Sequence, residues 1–545
     1  MIIETSYHPA DTSEPVLDLT AGDLLRGAAA DAPDTVAIRE LVPAGMGSLT
    51  GAERTDRSWT YAELLADAEA CARWLLVRLR PGERIVVWAP NVPEWVVLQY
   101  GAALAGLVIV TANPALRAGE LRYVLEQSRA SGLFAASAFR GTDMDAIATE
   151  ALDGLTAVRE HVRFAEWPAL AAEARGLTGD LPAVAAGDPA QIQYTSGTTG
   201  FPKGALLAHR GLVTNAYYIG IRAEMERGST WISPMPLFHT AGCAMGVLGS
   251  AHLRATLLLP LLFDPALVLD AIGTFRPAAV LGVPTMLIAM LAHPAFATTD
   301  VSSVRMAMSG GSAVPPELVR RVESAFGCGF STVYGQTELS PIITQTSPSD
   351  LPDDRADTTG RPLWNAEVKI ADPVDGSPVP IGEQGEIRVR GYLSMIEYFD
   401  LPEQTADALD ADGWVHTGDL GTLDERGYLR ITGRLKDMII RGGENMFPAE
   451  IEQVLFTDSD VAEIAVVGVP DPTWGEVVAA VIRPRDPDAP PTVEKLRALC
   501  RSELAPAKTP SLWFVATELP FTGSGKIQKF RVQELLAAGT YKPLD

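Results

Sequence analysis

Lysine is scarce in this chain of 545 residues: there are eight lysines among 44 basic residues, against 68 acidic ones, and the net charge is −24. A nucleic-acid partner needs a broad basic face, which this balance argues against. Any site for a smaller polyanion must be locally positive on an acidic background. Cysteine is equally sparse. Cys71, Cys243, Cys328 and Cys500 stand far apart with no C-x-x-C pair. Neither a disulfide framework nor a zinc site is indicated, and the pattern fits buried thiols in a reducing cytoplasm. Long apolar runs are missing too. The most apolar stretch, 255–272, is broken by Pro260, Asp264, Pro265 and Asp270, so no membrane span is expected. The opening MIIETSYHPADTSE has no basic or apolar segment of the secretory type. No internal repeat or low-complexity tract occurs. G-x-S-x-G and H-E-x-x-H are absent, which leaves serine-hydrolase and zinc-protease readings without support.

What is present is a globular composition, 47% hydrophobic and 21% charged, in a length that predicts several domains or one large domain with an appendage. The most informative stretch is 194–204, YTSGTTGFPKG. It packs the hydroxyls of Thr195, Ser196, Thr198 and Thr199, three glycines including Gly197, and Lys203 into one short loop. Glycines admit close backbone approach, hydroxyls and free N–H groups donate hydrogen bonds, and a lysine adds a point charge. That chemistry suits a polyphosphate. Composition alone fits a flexible linker equally well. Strand-like apolar runs on both sides argue against the linker. It is not a Walker P-loop, because Lys203 follows Pro202. Gly525-Lys526 fails the same test, with Pro520 in the first glycine position and Ile527 after the lysine.

From about 84 to 340, apolar β-type runs alternate with helical patterns: 85–88 then 94–104, 304–308 then 316–326, and 331–334. Continuous runs between helices predict parallel strands in a layered α/β fold. The GSLTGAE stretch near Gly47 reads as a surface turn. After about 360, short alternating runs such as 386–390 and 428–431 predict an antiparallel β module. Beyond Gly433, a helix start at Pro448, strands at 464–469, 477–482 and 512–515 and a helix from Val493 predict a small α+β unit.

Six motifs now stand in order: YTSGTTGFPKG, PLFHTAG (236–242), YGQTE (334–338), HTGD (416–419), GRLKDMIIRGGE (433–444) and GSGKIQK (523–529). Together they resemble the adenylate-forming enzymes, which include acyl-CoA synthetases, nonribosomal peptide adenylation domains and firefly luciferase. The resemblance covers nearly the whole chain. It implies a large N-terminal domain, 1–435, of α/β subdomains with a β module at about 360–435, and a small mobile C-terminal domain, 436–545, hinged at Lys436. It implies a reaction in which a carboxylate attacks the α-phosphate of ATP, with Mg²⁺, to give an acyl-adenylate and pyrophosphate. A thiol such as that of CoA then takes the acyl group and releases AMP. An anionic nucleophile must approach an anionic nucleotide, so positioning and cationic neutralisation carry most of the catalysis.

By this resemblance Thr195, Ser196, Gly197, Thr198, Thr199 and Lys203 hold the β- and γ-phosphates. Tyr334 offers a π-face to adenine, with Gly310, Gly311, Ser312 and Gly335 beside the nucleotide. Thr337 donates to the α-phosphate and Glu338 is a hard oxygen ligand for Mg²⁺. Asp419 accepts the ribose hydroxyls, and Arg434 bonds ribose or phosphate. Lys526 is the expected catalytic lysine, bridging the substrate carboxylate and the α-phosphate. Gly442, Gly443 and Trp474 are expected along the thiol tunnel, and His239 at the gate between that tunnel and the acyl pocket.

Amino-acid-activating members of that family carry an aspartate in this region for the α-amine; FHTAGCAMG holds no acidic residue, so the resemblance implies an acid without an α-amino group. Ala241, Gly242, Cys243 and Gly246, with Gly282, Val283, Gly310, Gly311 and Ile342, are expected to line an extended or flat pocket. A medium- or long-chain fatty acid or an aryl acid fits, and the wording is closest to bacterial fatty-acyl-CoA synthetases. One departure is Glu397, in MIEY, where many relatives have glycine. Two other functions stay open: an enzyme of secondary metabolism that hands its adenylate to an amine, a carrier-protein thiol or nitrite, and a nucleotide-binding scaffold. The expected partners are the acid, ATP and CoA, with a homodimer left open.

Overall fold

Runs rich in Val, Ile and Leu between helices become parallel strands, as buried continuous runs should. In the computed structural model, residues 2–53, 56–195, 202–441, 444–522 and 526–544 are described. The chain forms two units. One holds Pro9–Glu367 and Val389–Val415; the other holds Met1–His8, Val368–Arg388 and His416–Asp545. The class is mixed α/β, with a large N-terminal and a small C-terminal part, as expected. The expected boundary at Lys436 falls within the second unit, on the short turn Leu435–Asp437.

The first unit has two large sheets. In the seven-stranded sheet the spatial order is Glu397–Tyr398, Lys203–Ala208, Pro189–Thr195, Val108–Ala112, Arg84–Trp88, Gly132–Ala135, Glu160–Arg163. The last five run parallel, and the first two add antiparallel at one edge. Every residue of the helix Pro93–Ala105 is buried, which an apolar circumference demands. Pro93 starts it and Gly106, at φ 67°, ends it in the left-handed region that favours glycine.

In the nine-stranded sheet, strict alternation splits the core. Trp231, Ala279, Met306 and Met308 join a cluster with Tyr218 and Met245. Ile232, Val280, Ala307 and Phe330 join another with Leu287 and Val319. The expected strand at 304–308 is Met306–Gly310, and the expected helix is Pro316–Phe326. The GSLTGAE stretch is only partly the surface turn read from sequence. Gly47 is exposed, but Thr50 is buried and donates to Glu94 Oε1 at 2.8 Å. Arg57 bridges Glu94 and Glu40, with Nε 2.8 Å from Glu40 Oε2. Two buried carboxylates need a shared cation, and the loop folds inward to supply it.

In the second unit Tyr7–His8 pairs antiparallel with Ala366–Ala371, and Val415–Leu423 with Leu429–Arg434. The C-terminal part is built on the long hairpin Val461–Asp471 and Gly475–Pro484, with Leu512–Val515 parallel to it. Pro448 opens the helix Pro448–Phe456, and Val493–Glu503 follows as read.

Candidate active site

The strands Pro189–Thr195 and Lys203–Ala208 set Thr195 opposite Lys203, with Thr195 Oγ1 donating to Lys203 O at 3.4 Å. Ser196, Gly197, Thr198 and Thr199 lie outside the described residues. A Cβ on Gly204 would stand 2.6 Å from Ile192, so the pairing itself requires glycine there. Tyr194 donates its hydroxyl to Gln127 Oε1 at 2.6 Å, and burial pushes its phenol pKa well up.

Lys203 Nζ lies 4.9 Å from the ring centre of Tyr398. The same ring's hydroxyl donates to Glu338 Oε1 at 2.6 Å. Burial, then the adjacent Glu338 carboxylate, push the Tyr398 phenol well up, so it stays a donor. Glu338 is 8% exposed and sits on the turn Thr337–Leu339, just past the strand Gly329–Gly335. Tyr334, Gly335 and Thr337 are half-buried at that strand's end. Gly335 and Gly310 lack room for any side chain, a Cβ meeting Pro341 O at 1.9 Å and Val333 O at 2.2 Å. Gly311, at φ +78°, and Ser312 follow in an exposed turn.

His239 precedes a π-helix, Ala241–Leu248, a form often found at functional sites. The Ala241 N–H donates to His239 Nδ1 at 3.4 Å, which favours a neutral ring with its proton on Nε2. A Cβ on Gly242 would fall 2.2 Å from Pro236 O. The turn is held from behind by amides of the first unit. Asn91 donates to Met235 O and Pro260 O at 3.0 and 3.2 Å and accepts from Leu237 N–H at 2.8 Å. Gln193 donates to Phe238 O and Gln99 to Cys243 O.

Of the expected pocket residues, Val283 and Ile342 share one cluster with Met235, Met245 and Met308, and Ala241 packs against it. A Cβ on Gly246 would meet Ser233 Oγ at 3.5 Å, one on Gly282 would meet Met286, and one on Gly311 would meet Val283. Cys243 is placed elsewhere. It belongs to the cluster around the seven-stranded sheet, with Gln191 Nε2 donating to its Sγ at 3.3 Å, and burial pushes its thiol to about 12.

In the second unit, Asp419 and Arg434 are register partners across a hairpin, and Arg434 Nε lies 2.7 Å from Asp419 Oδ1. Glu386 supports the turn before Asp419. It takes Arg388 Nε at 2.8 Å and Gly418 N–H at 3.4 Å, and His416 Nδ1 lies 3.6 Å away. Lys526 bonds Thr522 twice, its N–H donating to Thr522 Oγ1 at 3.0 Å and its carbonyl accepting from Thr522 N–H at 2.7 Å. Lys436 is exposed on its turn. Gly442 and Gly443 lie outside the described residues. Trp474 is 50% exposed, with the Arg441 guanidinium 5.3 Å over its ring.

Sequence reading missed Tyr398, Glu386, Asn91 and Gln193 as site supports. The one signal available was a polar or aromatic residue inside an otherwise apolar strand or motif. Among the described residues no cluster of three or more His, Cys, Asp or Glu is placed to hold a metal. A lone buried carboxylate still fits Mg²⁺, which binds through one or two carboxylates together with substrate phosphates.

The profile of the AMP-binding enzyme family matches residues 25–399, and that of the AMP-binding enzyme C-terminal domain matches residues 450–526. The mitochondrial medium-chain acyl-CoA ligase ACSF2 of Homo sapiens is 34% identical over 508 residues, 87% of this chain and 82% of its own. The solved anthranilate CoA ligase AuaEII, in complex with anthranoyl-AMP, is similar with a TM-score of 0.86 and 26% identity, over 96% of this chain and 99% of that one. The amide bond synthetase McbA from Marinactinospora thermotolerans has a TM-score of 0.79 at 27% identity, over 94% of this chain and 99% of its own.

Proposed function

The chain belongs to the AMP-binding enzyme family, and from that premise we propose that it is an ATP-dependent carboxylic acid:CoA ligase acting on a medium-chain, long-chain or aryl acid. The observation that carries the reading is the meeting of Lys203 and Glu338 on Tyr398: a cation at the foot of a hydroxyl-rich loop, and a buried carboxylate 2.6 Å from the same ring's hydroxyl. A nucleoside triphosphate with its metal offers the complementary charges.

In this reading Thr195, the hydroxyls that follow it and Lys203 hold the β- and γ-phosphates. Glu338 holds Mg²⁺, which supplies charge neutralisation at the phosphates when bound. Tyr334 and Gly335, with Gly310, Gly311 and Ser312, take the adenine side, and Thr337 donates to the α-phosphate. Asp419 takes the ribose hydroxyls, with Arg434 holding its carboxylate in place. Lys526 brings the substrate carboxylate to the α-phosphate, where its charge offsets their repulsion. His239, neutral and fixed through Nδ1, stands beside the acid, with Val283 and Ile342 as apolar wall. Trp474, Gly442 and Gly443 serve the CoA thiol, and Lys436 is the hinge.

The acid range is supported by relatives named for medium-chain acids and for anthranilate. An apolar cluster with several methionines suits such acids, because methionine adapts to irregular shapes. A second reading is favoured by the similarity to an amide bond synthetase: the adenylate passes to an amine instead of CoA. One experiment separates them. Hexanoic to hexadecanoic acids and benzoic and anthranilic acids are incubated with ATP and Mg²⁺, with CoA, with an amine, or with neither, and the products are read by mass spectrometry. Acyl-CoA and AMP are expected. An amide with no thioester favours the second reading, and no pyrophosphate from any acid overturns the first.

A further inference from the structure

The segment at 395–399, MIEYF, stitches the strand of Lys203 to the turn of Glu338. Ile396 N–H donates to Leu206 O and Phe399 N–H to Gly204 O, both at 2.8 Å, while Met395 N–H donates to Glu338 O at 2.8 Å. Tyr398, the fourth residue of the segment, is 6% exposed and touches Lys203 with its ring and Glu338 with its hydroxyl. Lys203 and Glu338 make no ion pair with one another among the described contacts, although one side chain touches both.

We propose that Tyr398 is a positioning residue that keeps these two charges apart and ready. Its hydroxyl holds the Glu338 carboxylate through Oε1 in a fixed orientation, and its ring holds the Lys203 ammonium until the phosphates arrive. The proposal rests on the reading of Glu338 as the metal ligand. Physically, a phenol O–H donates to a carboxylate, and a bond to an ionised acceptor is short and strong. A ring face attracts an ammonium without neutralising it, so the lysine keeps its full charge for phosphate. A small side chain at 398 would free the lysine to pair with the glutamate, each quenching the other before nucleotide binds. The neighbouring Glu397 is paired with Leu206 at the strand edge and takes no part.

The test measures Mn²⁺ binding by electron paramagnetic resonance, with and without a non-hydrolysable ATP analogue, and analogue affinity without metal. Tyr398→Phe keeps the ring and loses the hydroxyl. Mn²⁺ affinity in the ternary complex is expected to fall about tenfold, the loss of one hydrogen bond to a charged group, with analogue affinity unchanged. Tyr398→Ala loses both contacts, and both affinities fall. Glu338→Gln must weaken Mn²⁺ at least as much; if it does not, the metal reading itself fails. If Glu338→Gln weakens Mn²⁺ and Tyr398→Phe does not, the metal reading stands and the positioning role is overturned. The double variant Tyr398→Phe/Glu338→Gln should bind Mn²⁺ like Glu338→Gln alone. Additive losses instead would point to a general defect of the fold and overturn the proposal too.

Discussion

The Lys526 backbone is anchored at both ends, its N–H and carbonyl both bonding Thr522. Truncating the side chain keeps both of these backbone bonds and removes the charge. Lys526→Ala is expected to lower adenylate formation at least about a hundredfold, the scale of losing one preorganised charge-stabilising group. Thioester formation from preformed acyl-adenylate should proceed near the parent rate. Pyrophosphate release and a single-turnover thioester assay read the two steps, and survival of adenylation would remove Lys526 from the chemistry. Asp419 behaves differently. Its carboxylate, 5% exposed, is committed to Arg434 at 2.7 Å. Removing Arg434 takes a cation from a buried carboxylate, so substitution there mixes binding with stability.

The turn at His239 shows what an element needs to carry a site. It has no side-chain cap and enters a π-helix, so its shape comes from glycine and from the Asn91, Gln99 and Gln193 amides behind it. Gly242→Ala would push a methyl group to 2.2 Å from Pro236 O, and a loss of about 1–3 kcal/mol is expected by chemical denaturation. Gly246→Ala meets Ser233 Oγ at an ordinary 3.5 Å, so stability should hold while the preferred acid becomes smaller. Equal destabilisation by both would show that the turn, not the pocket, is what these glycines serve. The contrast explains what was legible in the sequence. Apolar runs, and the proline and glycine ends of the helices Pro93–Ala105 and Pro316–Phe326, depend on neighbours in the chain, and these two helices appear where read. Tyr398 and Glu386 depend on partners 60 and 32 residues away. No local pattern encodes such a partner. Cys243, small and next to His239, accepts a hydrogen bond from Gln191 Nε2 at its thiol, a contact that sequence proximity does not show.

At the scale of the molecule, acid sensitivity is built into the first unit. Burial holds His209 and His252 down to about 4, against a weaker opposing pull from Asp188 and Asp23 on the former and from the Val213 carbonyl on the latter. Above pH 6.5 both rings are neutral, folded or unfolded. As pH falls below that, the unfolded chain takes up protons that the folded chain refuses, so stability drops, and the loss stops growing near pH 4. The slope should approach about 1.4 kcal/mol per pH unit for each ring. Calorimetric Tm from pH 7 to 5 checks it: His209→Gln and His252→Gln should each flatten the curve, and an unchanged slope in both would place the sensitivity elsewhere. The other unit has a different peculiarity. Its first strand, Tyr7–His8, pairs with Ala366–Ala371, and Ser6 N–H and Oγ bond Val379 O and Pro380 O at 3.0 and 2.8 Å. On a ribosome those opening residues emerge long before their partners exist. At roughly 5–20 residues per second the wait is on the order of 20–70 s. The order of synthesis thus keeps the first strand of this sheet waiting for the strand it pairs with.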